Sequence, residues 1–268
     1  MAGIKQRIKQ MITYFRYFIE YLKHGDFKSI IYSVNYMLFR NSHKNDRVIN
    51  TSIGTFFCRK NTNDFQFANF KYEWGVKKFL LDNLDSFSLF IDGGACVGDY
   101  SILLSKHGKR CLAFEPVSEN FKVLVKNFEL NGLTNECLAL PYGLGDKNYI
   151  ADFVFNPVNT GASHIAKDGE KANCQVEIRT FDSLLPLLKI AKEEHVCIKL
   201  DLESMELEAL RGAENFIKYH PNIMFVIEDR YIKQEFINNE LSKLAMFEFG
   251  IVDEFNIFAK KVKQTHFN

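Results

Sequence analysis

The chain has almost no net charge. Its 34 Lys and Arg face 33 Asp and Glu, which leaves a formal charge of +1. So even a balance sets up no general field for a polyanion, and no nucleic-acid partner is expected. Paired cysteines are also missing. Cys58, Cys96, Cys111, Cys137, Cys174 and Cys197 are scattered, with no Cys-x-x-Cys pair. That excludes the common zinc spacings and a small disulfide scaffold. Cys96, Cys111, Cys137 and Cys197 lie in apolar, strand-like runs and read as reduced core thiols of a cytosolic protein. Long hydrophobic runs are absent as well. The longest uncharged stretch near the N-terminus, Ser29 to Phe39, is too short to cross a bilayer. Lys5, Arg7 and Lys9 interrupt the start of the chain, so no signal peptide is read there and the expected location is cytoplasmic. There is no internal repeat and no low-complexity tract.

What is present is enough apolar material, 47% of 268 residues, for one substantial core with an extension. The charge is unevenly placed. Residues 1–60 hold eleven Lys or Arg and three acids, a local charge of +8, so residues 61–268 carry −7. A basic segment on an acidic body suits an anionic surface as partner, and equally the solvated face of ordinary helices. Ile4, Ile8, Met11, Ile12, Phe15, Phe18, Ile19 and Leu22 recur at three- and four-residue steps and predict an amphipathic helix over 4–22. Gly25 is a stop, and Asp26 is an N-cap for a second helix over 27–39. Interleaved basic and aromatic residues fit peripheral contact of residues 1–40 with the inner face of a membrane. They also fit a helical lid on the body, or a homodimer surface. The expected division is a helical extension, 1–45, and a main domain, 46–268.

Residues 46–72 read as short strands and turns, and a helix starts near Glu73. A regular alternation then begins. Apolar strands are read at 87–91, 111–114, 137–140, 195–200 and 223–227, with helices at 100–107, 117–131 and 205–217. Continuous apolar strands alternating with helices indicate an α/β fold, a parallel sheet covered on both faces. Residues 246–251 and 256–261 read as a terminal antiparallel pair. Residues 149–180 break the rhythm with two strands flanking a polar stretch, a natural place for substrate contacts.

The first strand delivers Asp92 into Gly93-Gly94-Ala95-Cys96-Val97-Gly98, and a helix follows at once. Glycines let such a turn bend sharply and approach a ligand, and the helix start offers free N–H groups. Glu115 stands at the tip of the next strand, where an acid accepts ribose hydroxyls. That pattern suits any adenosine cofactor, including NAD. Two features favour S-adenosylmethionine. Asp92 would repel a pyrophosphate but suits a cationic amino group, and Ala95 breaks the full G-x-G-x-x-G spacing.

With these residues in hand, the chain resembles the FkbM family of S-adenosylmethionine-dependent methyltransferases over about residues 70–262. Asp92-Gly93-Gly94-Ala95-Cys96-Val97-Gly98-Asp99-Tyr100-Ser101 is similar to the family's D-x-G-A-x-x-G-x-x-S turn. Ala113-Phe114-Glu115-Pro116 with Asn120, and Tyr142-Gly143-Leu144-Gly145-Asp146, resemble its next two blocks. Asn159-Thr160-Gly161, Arg179-Thr180-Phe181-Asp182-Ser183-Leu184 and Lys199-Leu200-Asp201-Leu202-Glu203 through Glu206 follow in the family's order. Three positions depart from it. Ser204 replaces a usual glycine, Gly93 a branched residue, and Glu228-Asp229-Arg230 stands where a histidine is common. The resemblance implies a Rossmann-like class I methyltransferase sheet, mostly parallel and seven-stranded, with an antiparallel C-terminal strand. It implies cofactor-binding positions at Asp92, Gly93, Gly94, Ala95, Val97, Gly98, Ser101, Glu115, Pro116, Asn120, Gly143, Leu144 and Asp201. It implies methyl transfer to an oxygen, often on a sugar, so the expected partner is a small-molecule, glycan or lipid-linked glycan acceptor.

An alcohol acceptor loses a proton during attack, so a base helps. Asp201 is the first candidate for that base and His164, in the polar insert, the second. Asp201 also suits a helix cap, and Glu203 and Glu206 suit ion pairs with Lys199 and Arg211. No metal is expected, although Asp201, Glu203, Glu228 and Asp229 are the acids that would hold one. Two other classes stay open at this point, a nicotinamide-dependent oxidoreductase and a non-catalytic adaptor that retains the fold.

Overall fold

The structure is a computed structural model that describes residues 2–39, 42–161 and 163–262. The expected stripe at Ile4, Ile8 and Met11 falls on side chains outside the described set. Seven strands form the central sheet: β1 Leu89–Gly93, β2 Arg110–Phe114, β3 Cys137–Leu140, β4 Val196–Leu200, β5 Ile223–Glu228, β6 Phe247–Ile251 and β7 Asn256–Lys261. Their spatial order is β6-β7-β5-β4-β1-β2-β3. The first five are parallel, and β7 runs antiparallel between β5 and β6. This is the Rossmann-like class I arrangement.

Side chains alternate across the sheet. Phe90, Cys111, Ala113, Cys197 and Val226 face one layer, where Val76, Leu80, Ile102, Leu104, Leu124 and Phe128 of three helices cover them. Leu89, Ile91, Leu112, Phe114, Ile198, Phe225 and Ile227 face the other, under Phe181, Leu184, Leu210, Phe216, Ile217, Ile237 and Leu241. Both faces are dry, which is why these strands read as unbroken apolar runs. Each fully buried residue such as Phe90 or Phe225 contributes about 1.5–3 kcal/mol through the hydrophobic effect.

The structure departs from the sequence reading at three places in this layer. The helix expected over 205–217 is two helices, Glu206–Arg211 and Glu214–Tyr219. The Asp182 carboxylate accepts the N–H groups of Asn215 and Phe216 at 2.8 and 2.9 Å, and so caps a fresh helix start. The helices Phe181–Leu188 and Gln234–Leu244 have no counterpart in the sequence reading. The first is short and contains Pro186, and the second buries only Ile237 and Leu241.

Helices α1, Ala2–Lys23, and α2, Phe27–Phe39, precede a hairpin of Arg47–Asn50 and Thr55–Cys58. One side of this helical pair belongs to the body. Tyr17, Tyr21 and Tyr36 share an apolar cluster with Phe56, Phe65 and Phe90. The Tyr21 hydroxyl donates to Phe65 O at 3.1 Å, and Ser52 N–H donates to Glu20 Oε1 at 2.8 Å. The insert forms a second sheet in which Cys174–Arg179 lies between Gly143–Leu144 and Tyr149–Val154, with His164–Ile165 at the edge. All six cysteines are free. Cys96 sits in the glycine turn rather than in a strand.

Candidate cofactor and acceptor cleft

Strand order reverses beside β1, and the carboxyl ends of β1, β2, β4 and β5 meet there. An open α/β sheet binds ligands at such a switch point. After Gly93 the backbone enters the left-handed region at Gly94 (φ +83°), Cys96 (φ +47°) and Gly98 (φ +86°). A Cβ on Gly94 would lie 2.0 Å from Asp201 O, so β1 and β4 touch backbone to backbone here. Asp92 is buried below the turn, where its Oδ2 accepts the Ser101 hydroxyl at 2.7 Å. Its Oδ1 has no hydrogen-bond partner among the described residues. Burial pushes the Asp92 pKa up to about 6, against the pull of Lys199 and Ser101.

Glu115, at the end of β2, accepts Cys96 N–H through Oε2 and Val117 N–H through Oε1, both at 2.9 Å. Burial pushes its pKa up to about 7, while these donors pull it back. Asn120 stands beside it and fastens two distant segments to this end of the cleft. Arg59 Nη2 donates to Asn120 Oδ1 at 2.9 Å, and Asn120 Nδ2 donates to Thr160 O at 3.3 Å. Arg59 also grips Asp64 in a bidentate pair at 2.8 and 2.9 Å. Asp64 in turn accepts the Thr160 hydroxyl at 3.2 Å.

The cleft encloses about 220 Å³. Of the expected cofactor positions, Gly94, Ala95, Glu115, Pro116, Asn120, Gly143, Leu144 and Asp201 line it. Asp92, Gly93, Val97, Gly98 and Ser101 do not; they build the turn beneath. Val97 O accepts Asn127 Nδ2 at 2.9 Å, and Gly98 packs under Leu124.

The other end of the cleft is acidic. Lys199 is 3% exposed, within an otherwise apolar strand. Its Nζ lies 2.8 Å from Asp201 Oδ2 and 4.7 Å from the centre of the Tyr100 ring. Burial opposes its charge, but Asp201, Glu73 and Asp92 outweigh that and raise its pKa. Burial likewise opposes the Asp201 charge, but Lys199 and Arg230 hold its carboxyl below the ordinary range. Asp201 is therefore a weak base, which counts against the first catalytic expectation. It caps no helix either; Glu206 Oε1 accepts Leu202 N–H at 2.8 Å and closes that turn. The expected pairs of Glu203 and Glu206 with Lys199 and Arg211 do not form. Lys199 takes Asp201, and Arg211 takes Glu240.

His164 is not brought to the cleft. Strand alternation turns Ser163 and Ile165 inward, and His164 Nε2 pairs with Glu170 at 3.1 Å. Glu203 does reach the cleft, and burial followed by Asp201 pushes its pKa up to about 7. Glu228 lies 2.8 Å from Arg230, yet burial and Asp201 raise it to about 9. Among the described residues no group of three His, Cys, Asp or Glu side chains is placed to hold a metal ion. Asp201 and Glu228 are taken by Lys199 and Arg230, and Asp229 lies outside the cleft. Sequence reasoning missed Tyr72, Glu73, Tyr100, Arg230 and Tyr231 as cleft residues. A lysine in the run Val196–Leu200 was the one available signal for the buried charge cluster.

The model of the methyltransferase FkbM domain matches residues 92–255, more than half of the chain. No curated protein matches significantly. Among solved structures, the methyltransferase FkbM from Methylobacillus flagellatus KT is similar at 19% identity and a TM-score of 0.48. The alignment covers 65% of this chain and 44% of that one, so the chain spans less than half the length of that relative. Magnesium protoporphyrin IX methyltransferase from Synechocystis PCC 6803 is similar at 11% identity and a TM-score of 0.40, over 71% of this chain and 75% of that one.

Proposed function

The chain belongs to the FkbM methyltransferase domain family, and we propose that it moves a methyl group from S-adenosylmethionine to a hydroxyl oxygen of a sugar, glycan or lipid-linked glycan. When bound, S-adenosylmethionine supplies a methyl carbon on a cationic sulfonium that departs as a neutral thioether. The cleft fits it on three counts. Glu115 offers carboxylate lone pairs to a ribose, beside apolar Pro116, Val117 and Leu144 for an adenine. The close approach at Gly94 leaves bare backbone at the cleft floor. Asp201, held charged by Lys199, and Glu73 put carboxyl oxygens where the donor's cationic end would lie.

One observation carries the choice of a hydroxyl acceptor. Glu203 lines the cleft next to Asp201 with a pKa near neutrality, and Lys199 and Arg230 are committed to other acids. A base tuned to neutral pH takes up the acceptor proton as the oxygen attacks. Asp201, held charged by Lys199, is a positioning group. Tyr72, Tyr100 and Tyr231 stand near these acids, and rings with carboxyls suit a polyhydroxyl acceptor that has an apolar face.

Methyl-labelled S-adenosylmethionine, incubated with the full chain and saccharide fractions, tests this reading. Label in an alkali-stable methyl ether supports it. Label released by mild alkali, as from a methyl ester, overturns it.

A further inference from the structure

Among the described residues nothing packs on the outer side of the α1–α2 pair. Ile12, Phe15, Phe18, Ile19 and Leu22 occupy one arc of α1, opposite the buried Tyr17, Glu20 and Tyr21. Phe27, Ile31, Val34 and Leu38 form the matching stripe on α2. Phe15 is 61% exposed, Phe27 64%, Ile31 59% and Leu38 60%, so this is one continuous apolar face and not scattered surface residues. Phe15 and Phe18 stack on each other within it.

Charge selects the occupant. Arg16, Lys23 and Lys28 are exposed at the rim of this face. The two acids of the same stretch are both engaged inward: Glu20 by Ser52 N–H, and Asp26 by Arg47 and Ser29. The rim is thus basic without a neutralising carboxylate. A two-fold contact of this face with a second copy would bring two basic rims into one interface, with no free acid of the face to offset them. An anionic lipid surface complements it. No described helix is long and apolar enough to cross a membrane, so contact is in the plane of the interface.

We propose that the α1–α2 face docks on an anionic phospholipid bilayer, with its apolar arc in the acyl boundary and its basic rim at the headgroups. The docked face lies close to the cleft. Tyr17 of α1 packs against Tyr72, which itself lines the cleft. An acceptor held in the membrane would therefore enter from that side. The docking itself rests on exposure and charge and stands apart from the methyl-transfer reading.

Co-sedimentation of the full chain with phosphatidylcholine vesicles, with and without phosphatidylglycerol, tests this at low and high salt. Binding is expected to be about tenfold or more weaker without the anionic lipid, and to fall as salt rises. The double variant Phe15→Glu/Ile31→Glu alters only exposed positions. It is expected to remain in the supernatant with an unchanged thermal midpoint and unchanged S-adenosylmethionine binding. Wild type that stays in the supernatant with anionic vesicles at low salt overturns the proposal. So does a wild-type dimer that the double variant converts to a monomer while vesicle binding is absent.

Discussion

Ser204 has a φ of +83° and follows Glu203 at +50°, two non-glycine residues in the left-handed region at the rim of the cleft. Such a conformation costs roughly 1–2 kcal/mol for a residue with a Cβ. Glycine is usual at this position in the family, so the serine bears a strain that glycine avoids. Ser204→Gly is expected to raise stability by up to about 1 kcal/mol, less the added freedom of the unfolded chain, as read by chemical denaturation. Glu203→Gln is expected to lower kcat by about 100-fold or more while S-adenosylmethionine affinity holds. Wild-type kcat should rise with pH and level off above about 7, because the base acts when deprotonated. The variant's kcat should be flat across that range; a retained inflection would assign the proton to another group. The glycine turn and Glu115 were legible because their spacing is local. Glu203 was legible only as an acid in a cluster, since its tuning comes from burial and from Asp201.

The elements that close the cleft are held by contacts far apart in the chain. Asp64 is 1% exposed and depends on Arg59, while Arg59 also reaches Asn120. Removing one partner of a buried pair leaves an uncompensated charge. Arg59→Met is expected to destabilise by about 3–5 kcal/mol in denaturant unfolding. Adding Asp64→Leu should restore much of that loss, because no charge is then stranded. Equal losses in the single and double variants would show that the pair holds the fold in some other way. The sheet strands and the insert were legible from apolar runs and from a break in rhythm. The link between the Arg59–Asp64 segment and the insert was not, because Asn63 and Asn159, hydrogen-bonded at 2.9 Å, lie 96 residues apart. His164 was misplaced for a simpler reason: a two-residue strand gives too little pattern to say which neighbour faces inward.

Across the whole molecule, several buried carboxyls bind protons more tightly than in the unfolded chain. Burial pushes Glu115, Glu203 and Glu206 up to about 7, and Glu228 up to about 9. The folded state then holds protons that the unfolded state releases near its ordinary value of 4.5, so stability falls as pH rises through these values. His43 and His220, lowered by burial, act in the opposite sense, but only below their ordinary 6.5. Between pH 6.5 and 8 the carboxyls set the slope, and the thermal midpoint is expected to fall. A midpoint that rises over that window would mean these groups ionise freely in the folded protein. The even overall charge of +1 hides the basic helical pair and the acidic cleft, which only the charge distribution along the chain reveals. Calorimetric titration of the full chain with S-adenosylmethionine and, separately, with NAD tests the cofactor reading most directly. The expected result is saturable S-adenosylmethionine binding that Glu115→Gln weakens by about 10- to 100-fold, as for loss of a hydrogen bond to a charged group, with NAD bound far more weakly. No S-adenosylmethionine binding, or tighter binding of NAD, would contradict it.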